Sequence, residues 1–521
     1  MRGMRWIGTW AAVGLWWCGG FAAGSARGDV KLPAVFGDHM VLQRELRDRV
    51  WGWASPGEAV TVAINGQTAS TKAGDDGAWA VTLDPMKAGG PYEMTVSGKN
   101  TVKFKDVLVG EVWLCSGQSN MEFSVGSSND GDLVALAAKN PRIRLITVPL
   151  VGTQEPKNDF KGHWSRCTPE SVRDFSAVGY FFGLRLHQVL GVPIGLIDDS
   201  WGGSACEAWV NRDRMAKSGK FDELLKRWES IEKNYPAAKE KFAADVAAWK
   251  EAEKKAKAEG KTPPRFPNNP DGLMAGNARP GNIYNGVLKP TIGYGMRGAI
   301  WYQGESNAGR AYQYRELFPF MIQNWRDEWG IGDFSFYWVQ LADFLGEKPE
   351  PGESAWAELR EAQTMTRKLP KSGEAVIIDI GEGYDIHPRN KRDVGNRLAR
   401  LALHRDYGVH LHDGSPTYKS MTKAGNKITL SFSDVGRGLR PFDVNEPLGF
   451  AIAGSDRKFV WAKGKVVGND KVEVWADGVA DPVAVRYAWA DNPVCNMYNQ
   501  EGLPMTPFRT DDWPGVTINN K

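Results

Sequence analysis

The sequence predicts a central α/β unit built on a parallel sheet, flanked by an N-terminal β-sandwich and a C-terminal β-domain. Three observations lead there. From about residue 106 to 408, compact apolar runs alternate with segments of helical spacing such as Phe175 to Leu190, the pattern of a parallel sheet covered on both faces. Before that stretch the apolar residues alternate singly with polar ones between turn signals, and after it short strand-like runs return. At 521 residues the chain has room for two to four domains.

Taken in order, residues 1–26 read as a secretory leader: Arg2 and Arg5, the apolar stretch Trp6 to Trp17, then the small residues Gly24-Ser25-Ala26. The stretch is too short to span a bilayer, and no later run reaches the roughly 18 apolar residues a membrane helix needs. A soluble, secreted or periplasmic protein without membrane association is expected. Trp16 and Trp17 stand where a lipoprotein signal carries small residues, so Cys18 is not read as a lipid anchor. In 29–105, Val60, Val62 and Ile64 alternate up to the two-residue turn Asn65-Gly66, and Trp79, Val81 and Leu83 alternate after Asp75-Asp76-Gly77.

The catalytic-type unit, 106–408, offers buried strands at Val112 to Cys115, Ile143 to Val148, Pro193 to Asp198, Gly298 to Tyr302, Phe334 to Leu341 and Glu374 to Ile380. An insertion at about 211–282 carries Phe221, Leu224, Leu225, Trp228, Ile231 and Tyr235 on one helical face and Phe242, Val246 and Trp249 on another, which reads as a charged helical hairpin ending at Thr262-Pro263-Pro264. Residues 409–521 form the second β-domain and tail, with strands at Lys427 to Phe432, Phe450 to Ile452, Val472 to Trp475 and Val483 to Trp489.

Charge excludes some partners. The 65 Lys and Arg against 62 Asp and Glu give a net charge of +3, too small a field to draw the protein onto nucleic acid or an anionic membrane. Five cysteines without a CxxC pair do not suggest zinc, and export permits disulfides without requiring them. No metal or other cofactor is implied.

Reactive groups in a doubly wound sheet lie past the carboxyl ends of its strands. Ser116-Gly117-Gln118-Ser119-Asn120-Met121 follows the first buried strand, and a sharp turn there projects one hydroxyl beside backbone N–H groups. Ser119 is the candidate nucleophile; the competing reading is a helix N-cap. A serine needs a base. Of seven histidines, His387 stands directly after a buried strand, in Ile380-Gly381-Glu382-Gly383-Tyr384-Asp385-Ile386-His387-Pro388. In the extended segment before Pro388, residues two apart point the same way, so Asp385 is the acid expected to orient His387, with Asp379 in reserve. Donors for a developing oxyanion are expected from Asp199-Ser200-Trp201-Gly202-Gly203-Ser204, where Gly203 is the choice, and from Gln303-Gly304-Glu305-Ser306-Asn307, where Gln303 or Asn307 offers a side-chain amide.

These blocks resemble those of sialate O-acetylesterase-type SGNH hydrolases. The likeness rests on Gly117-Gln118-Ser119-Asn120-Met121, Trp201-Gly202-Gly203-Ser204 with Glu207-Ala208-Trp209, Trp301-Tyr302-Gln303-Gly304-Glu305-Ser306-Asn307 and Asp385-Ile386-His387-Pro388. It extends to Phe36 to Gln43 and to Glu501 to Asp511, hence over nearly all the chain after the leader. The resemblance implies a flavodoxin-like three-layer domain and metal-free removal of acetyl esters from carbohydrate, with Ser119, His387 and Asp385 as the triad. Many SGNH hydrolases carry the acid three residues before the histidine; here it is two. Asn120, Trp201, Trp301 and Glu305 are the expected substrate contacts, Trp209 and Tyr302 further stacking candidates, and acetylated sialic acid, xylan, xyloglucan or pectin the candidate substrates. A non-catalytic carbohydrate-binding protein on the same scaffold is the alternative, and a glycosidase using Glu305 and Glu207 a third reading.

Overall fold

The computed structural model describes residues 29–521; the proposed leader and Cys18 lie outside the described residues. Its centre is a seven-strand sheet made of β1 (Thr101–Gly117), β2 (Asn140–Thr147), β3 (Ser165–Cys167), β4 (Ile194–Asp198), β5 (Gly298–Tyr302), β6 (Ser335–Val339) and β7 (Ser372–Ala375). Across the sheet the order is β7-β6-β5-β1-β4-β2-β3, parallel throughout except for β3. After β1 the chain builds one side of the sheet, reaches β4 beside β1, then crosses to β5 on β1's other side. The order therefore reverses at β1, and such a switch point opens a crevice beyond the strand's carboxyl end. β4, β5 and β6 are buried along their whole length, as strands covered on both faces must be.

β1 is longer than the apolar run Val112 to Cys115 suggests. Its first half, Thr101 to Asp106, alternates exposed and half-buried residues within the N-terminal sheet, and its second half is continuously buried in the central one. One strand thus serves two sheets, and Asp106 takes a left-handed φ of 57° where it passes between them. In the N-terminal region Ala59–Ile64 pairs with Gln67–Lys72 around the Asn65-Gly66 turn, and Asp48–Trp53 pairs with Ala78–Leu83 as a separate two-strand sheet.

The insertion differs from its expectation. In place of a hairpin, one helix runs from Asp222 to Ala258, carrying Pro236 inside it. Phe242 and Trp249 pack on Phe266 of the returning strand-free segment, so the second apolar face is covered by an extended chain and needs no second helix.

Beyond the helix Lys391–Arg405, antiparallel sheets close the chain, one of Thr417–Ala424, Lys427–Ser433, Lys471–Trp475 and Lys463–Val467, another of Val460–Trp461, Phe450–Ala453, Ala484–Tyr487 and Phe508–Arg509. Arg509 reaches Glu361 of the central unit at 2.7 Å, and buried Arg486 pairs with Asp511 at 2.9 Å and with Glu353. Among the described residues no helix is long and apolar enough to cross a membrane, and the four cysteines are free thiols.

Candidate active site

The nucleophile candidate is set by a glycine. Gly117 ends β1 with φ 135°, and a Cβ there would lie 2.2 Å from the carbonyl oxygen of Tyr302, so the bend against β5 excludes any side chain. Gln118 donates its N–H to that same carbonyl at 2.9 Å, and its buried Oε1 accepts from the N–H groups of Gly304 and Ser306. The first and third sequence blocks are thereby sewn together beneath Ser119. Ser119 opens the short helix Ser119–Glu122, in which Gln118 holds the N-cap position, so Ser119 is not the capping residue of the competing reading.

His387 arrives from the loop after β7. Its Nε2 lies 2.8 Å from Ser119 Oγ, a bond between residues 268 positions apart. In the Nδ1–H tautomer of the neutral ring the Ser119 hydroxyl donates to Nε2. Asp385 sits on the other side, but its Oδ1 accepts the backbone N–H of His387 at 2.9 Å and stands 3.6 Å from Nδ1, beyond a good hydrogen bond. The carboxylate therefore acts on the ring mainly through its field and by shaping the loop. The bonded His387 N–H, with Arg389 assisting against burial, holds Asp385 below the ordinary carboxylate range. Burial, then the neighbouring Lys391 ammonium, holds His387 below 6.5 against the pull of Asp385. Asp379, the reserve acid, is instead paired with Arg397 at 2.6 Å and bonded by Tyr498.

The loop after β4 lies against the nucleophile: a Cβ on Gly202 would be 3.4 Å from the Ser119 Cβ. Trp201 N–H donates to Gly117 O at 2.9 Å and Gly202 N–H to Glu122 Oε2 at 2.6 Å. Exposed Gly203 follows with φ 70°.

Several expected contacts are placed elsewhere. Gln303 donates from Nε2 to Ser204 O and to Asn307 Oδ1 (3.0 and 2.7 Å), while Asn307 Nδ2 donates to Glu207 Oε2 at 2.9 Å. Both amides are buried braces between the second and third blocks. Trp301, Trp209 and Tyr302 are core residues; the Trp301 ring packs on Trp209, Trp325 and Phe318. They cannot stack on a sugar: Trp301 and Tyr302 fill positions of a strand covered on both faces, and Trp209, at the end of the turn Cys206–Trp209, is buried against Trp301 and Trp325. Trp201 alone of the four aromatic candidates is only half-buried. Asn120 is also buried: Nδ2 donates to Glu305 Oε1 at 2.6 Å and to Ile386 O at 2.9 Å, and Oδ1 accepts from Lys391 Nζ. Glu305 and Glu207 are not a free pair flanking an open cleft as a glycosidase requires, since half-buried Glu305 is bonded by Asn120 and Glu207 is buried with Arg310 and Asn307.

Lys391, Asn277 and Glu122 were not singled out by sequence. Asn277 Nδ2 donates to Gly202 O and its backbone carbonyl accepts from Ala205 N–H, so the segment after the insertion shapes the Gly203 loop. Nothing in its sequence context marks it. Lys391 did carry a signal: a cation in the first turn of a helix opposes the helix dipole.

A family model described as "Carbohydrate esterase, sialic acid-specific acetylesterase" matches residues 109–248 and 278–403. The interruption between the matches falls in the second half of the inserted helix and the return from it. Sialate O-acetylesterases of Mus musculus and Homo sapiens are 28% and 29% identical, over 92% and 94% of this chain and 94% of each relative. A carbohydrate acetylesterase from Xanthomonas citri, solved as a crystal structure, is 39% identical, covering 93% of this chain and all of that one, with a TM-score of 0.78. The α/β fold and its added β-domain are those of an esterase, and the enzyme class is carbohydrate O-acetylesterase. The chain belongs to the family of sialic acid-specific acetylesterases among the carbohydrate esterases.

Proposed function

We propose that the protein is a serine esterase that removes O-acetyl groups from carbohydrates through an acyl-enzyme on Ser119. The observation that carries this reading is the 2.8 Å contact between Ser119 Oγ and His387 Nε2 at the switch point of the sheet. His387 takes the hydroxyl proton as Ser119 attacks the acetyl carbonyl, then passes it to the departing sugar oxygen. Water, deprotonated by the same ring, attacks the acetyl-serine and releases acetate. The oxyanion is held by the N–H groups of Ser119 and Gly203. Gly202 N–H is committed to Glu122, which leaves Gly203 as the donor of its loop. Asp385 orients the His387 loop and supplies its field. The strand order, with the nucleophile after the central strand and the base after the last, supports a flavodoxin-like SGNH hydrolase.

For the substrate, Arg389 is the arginine of the His387 loop, and it is already paired with Glu382 at 2.5 Å and Asp385 at 3.2 Å. A neutralised guanidinium favours an uncharged acetylated sugar, as in xylan or xyloglucan, over the carboxylates of sialic acid or pectin. The reading also includes a leader at 1–26, a secreted or periplasmic location, and domains at 29–105, 106–408 and 409–521. Acetate release from an aryl acetate and from acetylated sialic acid, xylan, xyloglucan and pectin tests it. Ser119→Ala is expected to lower turnover by about 10³-fold or more while the fold persists. Glycan binding without acetate release by the natural protein would point instead to a non-catalytic binding protein.

A further inference from the structure

Lys391 is out of place by every local rule. It is buried, it stands in the first turn of the helix Lys391–Arg405, and it neighbours a base that becomes cationic during the reaction. Among the described residues no carboxylate bonds it directly. Its Nζ donates to Asn120 Oδ1 and lies over the rings of Phe123 at 4.8 Å and Tyr302 at 5.2 Å. The same Phe123 ring stacks on the His387 imidazole, centroids 6.2 Å apart. Asn120 in turn bonds Glu305 and the carbonyl of Ile386. Residues that break local rules without a packing reason mark functional positions.

We propose that Lys391 is a positioning residue of this site: its ammonium, anchored on Asn120, fixes the Ser119 and His387 loops to one another and disfavours a second positive charge on the imidazole. The inference rests on the reading of Ser119 and His387 as nucleophile and base. The groups facing His387 are Ser119 at Nε2, Asp385 and Arg389 on its own loop, and Lys391 at the head of the helix, with Glu382 beyond Arg389 and Glu305 beyond Asn120. Burial pushes Lys391 down to about 7 against the pull of Glu305, Glu382 and Asp385. Below that pH the cation is present, which is where His387 takes up its proton. Loss of the cation must therefore raise the pH at which the base is lost.

The test compares the pH profile of kcat/KM for an aryl acetate in the natural protein, Lys391→Met and Lys391→Arg. Lys391→Met is expected to move the acid limb upward by about 0.5 pH or more and to lower kcat about 10-fold or more, whereas Lys391→Arg keeps the limb in place. If Lys391→Met does not fold, Lys391→Gln, which retains a donor for Asn120 without the charge, reads the same limb. An acid limb unmoved in the uncharged variant, or moved equally in Lys391→Arg, overturns the inference. Ser119→Ala in parallel separates the two levels: full activity there would sink the assignment of the nucleophile, whereas its inactivity beside an unmoved limb would sink only the role of Lys391.

Discussion

Asn120, the residue after the nucleophile, donates from its side chain to the carbonyl of Ile386, the residue before the base, at 2.9 Å. A bond between their chain neighbours thus helps to set the separation of Ser119 and His387, beside their own 2.8 Å contact.

Asn120→Ala should separate them. Loss of the link is expected to cost about 10²-fold in kcat, the effect of a misplacement near 1 Å. Stability should fall as well, since Lys391 and Glu305 lose the amide that joins them. Steady-state kinetics on an aryl acetate and a urea midpoint check both parts; a variant with wild-type kcat would show that the loops are held by other means.

Asp385 and His387 should not be equivalent on substitution. At 3.6 Å from Nδ1 and over a third exposed, the Asp385 carboxylate is a modest electrostatic aid. Asp385→Asn is expected to lower kcat roughly 10-fold, against about 10³-fold for His387→Ala. Equal losses would mean that the carboxylate closes on the ring during turnover.

Gly117→Ala places a methyl group 2.2 Å from the Tyr302 carbonyl at a φ of 135°. The expected result is a loss of about 3 kcal/mol or more in unfolding free energy, with lowered activity in whatever fraction folds. Chemical denaturation followed by tryptophan fluorescence measures it.

Acid should loosen the join between the N-terminal sheet and the central one. Burial opposes the charge of Asp106, but hydrogen bonds from Arg144, His39 and Arg166 outweigh it and hold the carboxyl at about 2, below its ordinary 3.8. A depressed folded value stabilises the fold above pH 3.8 and loses that contribution as pH falls toward 2. Asp106→Asn keeps the left-handed backbone accessible and should lower stability at pH 7 by about 1 kcal/mol after allowance for solvent screening, with the difference shrinking as pH falls through about 2 and gone below it. A gap that persists there would assign the effect to packing.

Five strands of the central sheet and the β-rich regions on either side were legible in the sequence, which also singled out the serine and histidine; the edge strand Ser165–Cys167 was not, and the last strand runs Ser372–Ala375 where Glu374 to Ile380 was expected, because the chain turns away after Ala375. The legible features are local: apolar runs bounded by glycine-rich turns, and reactive side chains just past strand ends. The burial pattern of β4, β5 and β6 follows directly from such runs. Tertiary structure alone decided the partners. Whether Gln303 points to a substrate or to Ser204, whether Trp301 meets a sugar or Trp209, and whether Asn120 touches ligand or Ile386 depend on which strands become neighbours. The two apolar faces of the insertion, too, became one helix, Asp222–Ala258, once a returning segment covered the second of them. Local pattern states what a side chain can do, while its available donors and exposed faces are what remain after distant segments have taken their share. At this site Asn277 came from a segment with no reactive signature, and Glu122 and Lys391, though close in sequence to Ser119 and His387, gained their roles only from the groups packed beside them.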